Sequence, residues 1–153
     1  MIIIGYQGIG KSTLAGKNKC IDLESGNFWY NDVRPDDWYI YYCQIAEHLS
    51  QQGYIVFVSS HEVVRNELKK SKEKVYIIYP SVGLSNKWIK KLQDRYETTK
   101  LIKDFKAWKN AEDRYTENIL ELMSSGLEFY SINDMDYNLS NIVKYLEDLN
   151  DKN

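Results

Sequence analysis

The chain has 153 residues, 43% of them hydrophobic, and a formal net charge of −2. This length suits one domain spanning 1–153 with a proper core, and two prolines with eight glycines argue against low complexity. The acidic balance argues against general nucleic-acid binding, and no apolar run approaches the roughly 18 residues of a membrane span. Met1 opens an apolar run rather than a basic leader, and Cys20 and Cys43 lack disulfide-framework or metal-ligand spacing. A reducing cytoplasm is the expected compartment. His48 and His61 form no sequence cluster for a transition metal.

Along the chain, the first apolar run, Ile2–Gly5, predicts a buried strand. It leads into Gly5-Tyr6-Gln7-Gly8-Ile9-Gly10-Lys11-Ser12, which fits the P-loop pattern G-x-x-x-x-G-K-[ST], and Lys11–Ala15 reads as the opening turn of a helix. Glycines there let backbone N–H groups converge on an anion, and a helix start adds unpaired N–H groups. The expected phosphate cradle is Gly8, Ile9, Gly10, Lys11, Ser12 and Thr13, with Lys11 on the β- and γ-phosphates and the Ser12 hydroxyl on Mg²⁺.

A second strand, Cys20–Leu23, carries Asp22 at its end, and Glu24 two residues on projects to the same face. This is the only expected strand with acids at its carboxyl end. One of the two acids could hold a Mg²⁺-bound water and the other position a substrate hydroxyl, the alternative being ordinary acids at a solvated strand end. Phe28, Trp29 and Tyr30 beside Arg34 form either an acceptor pocket or loop packing. Pro35-Asp36-Asp37 predicts a helix start, with Trp38, Tyr42, Ile45, Ala46 and Leu49 at helical spacing and Gly53 as terminator.

Tyr54–Ser59 predicts a third strand. Ser59 and Glu62 predict a capping box before a helix that carries Arg65, a candidate fork for an anionic acceptor group. Lys74–Tyr79 is the fourth strand. Ser85 is placed to cap a helix through Trp88, Leu92 and Tyr96, on which Lys91 and Arg95 lie four apart. The segment Leu84–Arg114 holds nine Lys/Arg against five Asp/Glu, a local grip for a small polyanion within an acidic chain. A long helix over Lys103–Ser125, a strand over Leu127–Ser131, the loop Asn133–Asp136 and a final helix through Leu139 and Leu149 complete the chain. The strand runs show no alternation, the pattern of a parallel sheet covered on both faces.

The GKST run followed by Asp22-Leu23-Glu24 resembles shikimate kinase and its relatives. Val58–Leu68 is similar to the third-strand exit of gluconate-kinase-like proteins, and Trp88–Tyr96 looks like the lid of small kinases. The overall likeness is to small phage-type P-loop nucleoside or nucleotide kinases. It implies a three-layer α/β fold with a five-stranded parallel sheet, flanking helices and a helical lid at roughly residues 84–114. It further implies ATP and Mg²⁺ as cofactors, a nucleoside or nucleotide as phosphoryl acceptor, and a monomer or homodimer. On this resemblance Lys11, Asp22, Arg65 and Arg95 serve catalysis, Ser12 and Asp22 the metal, and Glu24, Arg34 and Arg65 the acceptor. Lys91 and Arg95 would close over the phosphates, and backbone groups of Asn133–Asp136 would touch adenine. A sugar-acid or polyol acceptor, or a slow nucleotide-binding regulator, are the alternative readings.

Overall fold

All five expected strands form in the computed structural model, which describes residues 1–153, and none of their bounds shifts by more than one residue. The order is β1 (Ile2–Gly5), α1 (Lys11–Leu14), β2 (Cys20–Asp22), α2 (Trp38–Gln51), β3 (Ile55–Val58), α3 (Glu62–Leu68), β4 (Val75–Pro80), α4 (Ser85–Thr99), α5 (Ile102–Met123), β5 (Glu128–Ile132) and α6 (Leu139–Lys152). The strands make one parallel sheet in the order β2-β3-β1-β4-β5. Every residue of β1, β3 and β4 is buried, so helices cover both faces. Ile2, Ile3, Ile4, Phe57, Ile77 and Ile78 lie at the centre, each adding about 1.5–3 kcal/mol of burial.

The topology places the site. The crossover from β1 to β2 passes over β3, and that from β3 to β4 passes over β1. Connections therefore leave the carboxyl ends of β1 and β3 in opposite directions. Such a reversal opens a crevice between the two strand ends.

Local structure departs from the sequence reading at five places, the simplest being Ser85, which lies inside α4 after Leu84 at the N-cap position and caps nothing. The helix after the glycine loop is a single turn, so its macrodipole is small; Gly16, Asn18 and Lys19 at positive φ turn the chain straight into β2. The capping box at Ser59 and Glu62 does not form, because the Ser59 hydroxyl pairs with His61 Nδ1 at 2.8 Å and α3 starts after His61 without a side-chain cap. Pro35 lies in a turn before α2 rather than in its first turn, with its carbonyl accepting from Trp38 N–H. Finally, α5 is broken at Arg114 (φ −139°, ψ 21°), so its first half runs in a different direction from its second. The first half of α5 and α4 form a hairpin joined at Lys100, whose φ is +56°.

No helix is long and apolar enough to cross a membrane.

Candidate active site

The loop from Gly5 to Ser12 sits at the carboxyl end of the central strand, at the mouth of the crevice. Its carbonyls are tied down one after another. Gln7 O accepts from Trp88 Nε1 at 2.9 Å, and Ile9 O from the Tyr137 hydroxyl at 2.8 Å, which also reaches Gly8 O at 3.4 Å. Gly10 O accepts from Thr13 N–H. A trans peptide is planar, with its N–H opposite its C=O. Each tied carbonyl thus aims the next residue's N–H the other way.

Those N–H groups find no partner. Gln7, Gly8, Ile9 and Gly10 donate to nothing in the chain, and Lys11 and Ser12 open α1, where first-turn N–H groups lack intrahelical acceptors. Buried backbone donors are almost always paired, so a run of free ones marks a place for an anion. Glycine is required at two points of this curve: Gly8 and Gly10 have φ of +88° and +103°.

Two cavities adjoin at the loop. The smaller, about 220 Å³, is lined by Gly8, Gly10, Lys11, Ser12, Asp22 and Arg95 among others. The larger, about 670 Å³, is lined by Trp29, Arg34, His61, Arg65, Lys106 and Asn110 among others. Gln7, Glu24, Ser25, Lys103 and Ala107 line both. The two spaces are therefore halves of one crevice, with the glycine loop in one and side chains of α3, α5 and the segment before α2 around the other.

Asp22 and Glu24 reach this crevice through an irregular sheet end. Leu23 N–H makes the last rung with Phe57 O at 2.9 Å. The next parallel rung would run from Ser59 N–H to Leu23 O. Instead the buried Tyr42 hydroxyl stands between them, accepting from Ser59 N–H at 2.9 Å and donating to Leu23 O at 2.5 Å. One hydroxyl thus holds the ends of β2 and β3 apart, between the two acids on one side and Ser59 and His61 on the other.

Opposite charges share the smaller cavity in a desolvated setting. Burial pulls the Lys11 pKa down, against Asp22 and Glu24, which raise it. Burial pushes the Asp22 carboxyl up, against Lys11. The Lys11 ammonium donates to Gly5 O at 3.3 Å. Ser12 and Asp22 supply one hydroxyl and one carboxylate; no cluster of three or more acids, histidines or cysteines is available. That set fits Mg²⁺, which takes the rest of its shell from phosphate and water.

The remaining predicted residues divide. Arg95 lines the smaller cavity, with Nε 2.9 Å from Asp104 Oδ1. Arg34 lines the larger one, its guanidinium between Trp29 (4.8 Å) and Trp38 (3.9 Å). Arg65 is buried there, donating to Ser60 O at 3.1 Å and pairing with Glu121 at 3.3 Å. Lys91 is not on either cavity wall. Its ammonium donates to the Tyr137 hydroxyl at 2.8 Å and lies over the Trp88 and Tyr137 rings, so it braces the loop's anchor from behind. Asn133–Asp136 lines neither cavity; the following Tyr137 is what reaches the loop.

Several residues of the site carried no sequence signal. His61 faces the larger cavity; burial, then Arg34 and Lys11, lower its pKa. Lys103 stands where the cavities meet, and Gln7 bonds across to Ala107 O at 3.0 Å. Trp88 and Tyr137 stack with centroids 5.8 Å apart. Only fold-level contact brings these groups to the loop.

No family model matches the chain, and no curated protein matches it. The functional reading therefore rests on the site.

Proposed function

We propose that the chain is an ATP- and Mg²⁺-dependent small-molecule kinase whose acceptor is a nucleoside or nucleotide. The observation that carries this reading is the run of free amides from Gln7 to Ser12, set beside a second, larger cavity that shares its wall. A polyphosphate on the amides would place its terminal group at the junction, where Glu24 and Lys103 face both spaces.

In this reading Lys11 neutralises charge on the transferred group, and Ser12 with Asp22 holds the metal, which offsets phosphate charge when bound. Glu24 orients the acceptor hydroxyl. Arg34, Arg65 and His61 shape the acceptor space, and Arg95 with Lys103 covers the phosphates. The α4–α5 hairpin acts as lid and excludes water, favouring transfer over hydrolysis.

The test is ADP release from MgATP across nucleosides, nucleoside monophosphates, sugar acids and polyols. Stimulation by a nucleoside or nucleotide is expected. Stimulation only by a sugar acid or polyol moves the acceptor to that class, and ATP and ADP binding without stimulation by any acceptor rejects the kinase reading.

A further inference from the structure

Asp104 is the only acid of the crevice that is fully buried, at 3% exposure. A buried carboxylate is stable only where partners replace its water. Three features do so here. Asp104 lies in the first turn of α5, where a helix start favours negative charge. Its Oδ2 accepts from the Thr99 hydroxyl, whose oxygen accepts in turn from Leu101 N–H at 3.3 Å, across the turn at Lys100. Its Oδ1 lies 2.9 Å from Arg95 Nε. Both oxygens are committed inside the α4–α5 hairpin, and neither is free to swing into the smaller cavity.

Arg95 stands between that carboxylate and the cavity. Its side chain is 43% exposed, it lines the cavity beside the glycine loop, and its two Nη groups have no partner in the chain. Burial sets the direction of the pKa shifts of Lys11 and Asp22, and the Arg95 charge acts on both, pulling each downward. Lys11 and Arg95 are therefore like charges facing one space. Repulsion and side-chain entropy would turn the more exposed of the two out into water unless something held it. Asp104 is the group that holds it.

We propose that Asp104 is a positioning residue for the polyphosphate: by holding Nε it fixes the Arg95 guanidinium with its Nη groups turned to the cavity before a ligand arrives. The guanidinium is a rigid plane, so fixing one edge aims the other. The inference rests on reading the smaller cavity as the polyphosphate site. It accounts for an acid standing beside a place for an anion, since the charge of Asp104 faces Arg95 and not the phosphate.

A double-mutant cycle read by calorimetry on the full chain tests it, with a non-hydrolysable MgATP analogue and, in a parallel titration, inorganic triphosphate. Asp104→Asn keeps the shape and an acceptor for the Thr99 hydroxyl but removes the charge, and should weaken the analogue about tenfold. In an Arg95→Met background the same change should cost less than about twofold, because no guanidinium is left to aim. A carboxylate that merely stiffened the hairpin would give one factor in both backgrounds, so equal losses overturn the inference. So does an Asp104→Asn chain that binds as the wild type does. If Asp104→Asn does not fold, Thr99→Val takes its place; it frees Oδ2 and should weaken the analogue about threefold with Arg95 present and not in the Arg95→Met background. Wild-type binding of triphosphate without the analogue defeats the kinase reading and leaves the cycle to be judged on triphosphate, and binding of neither defeats both.

Discussion

Gly8 is the position at which the loop's architecture can be broken with one methyl group. Its φ of +88° is unfavourable for any side chain, at a cost of about 1–2 kcal/mol. A Cβ there would stand 2.8 Å from Leu92 Cδ2 and 3.2 Å from Trp88 Nε1, and both side chains are fully buried. Neither can retreat freely, because Trp88 Nε1 is the donor that holds Gln7 O. Overpacking of this kind adds about 1–3 kcal/mol. Gly16 supplies the control: its φ is +79°, yet a Cβ there meets nothing within 4 Å. Gly16→Ala should therefore show the backbone cost alone, and Gly8→Ala the sum. At about 2–4 °C per kcal/mol for a chain of this size, Gly8→Ala should lower Tm by roughly 4–20 °C and Gly16→Ala by roughly 2–8 °C. Thermal unfolding followed by circular dichroism reads both, and urea titration checks the free energies. Equal destabilisation of the two variants would refute the packing of α4 against the loop.

Tyr42→Phe strands Ser59 N–H and Leu23 O, and should cost about 1–3 kcal/mol by urea denaturation. It should also weaken Mg²⁺-dependent nucleotide binding, because the β2 end that carries Asp22 is no longer held off β3. Lys91→Met should leave nucleotide affinity within about 0.5 kcal/mol of wild type by calorimetry, since the ammonium serves Tyr137 and not a cavity. Lys11→Met should abolish that binding while leaving Tm unchanged or raised, because burial already penalises the charge. For His61 the folded pKa lies below the unfolded one, so the unfolded chain binds a proton that the folded chain refuses. Stability contributed by neutral His61 should fall as pH drops through the unfolded value of about 6.5 and level off below the folded value. His61→Gln should flatten that part of a urea-midpoint-versus-pH curve.

The sheet was legible because strands buried on both faces read as unbroken apolar runs, and Ile2–Gly5 or Tyr54–Ser59 leave no polar face to place. The loop was legible because φ near +90° at Gly8 and Gly10 admits little except glycine. Asp22 and Glu24 could be found from their position at a strand end. Lys91 was misread because charge and spacing do not report burial, and its aromatic seat comes from Tyr137, far off in sequence. Ser59 and Glu62 matched a capping pattern, but His61 offered the hydroxyl a nearer partner. The bend at Arg114 has neither proline nor glycine to announce it, so Asn110, Asn118 and Gln7 could not be brought together from the sequence.

The basic balance of Leu84–Arg114 suggested a grip made of charge, and the structure turns Lys103 and Lys106 to the crevice while pairing four others. Lys90 pairs with Asp94, Lys109 with Glu112, Arg114 with Glu117 and Arg95 with Asp104. Around the smaller cavity, Lys11, Arg95 and Lys103 face Asp22, Glu24 and Asp104, so positive and negative side chains balance. Attraction for an anion must then come from the oriented amides of Gln7 to Ser12. Dipoles act over shorter range than net charge, so such a site selects by fit and does not gather every polyanion nearby. Fit in turn depends on the amides being aimed before the ligand arrives, and that is the work of Trp88 and Tyr137 on the opposite side of the loop. In the proposed site the binding surface is backbone, the residues that aim it point away from it, and Lys91 meets the Tyr137 hydroxyl and not the cavity.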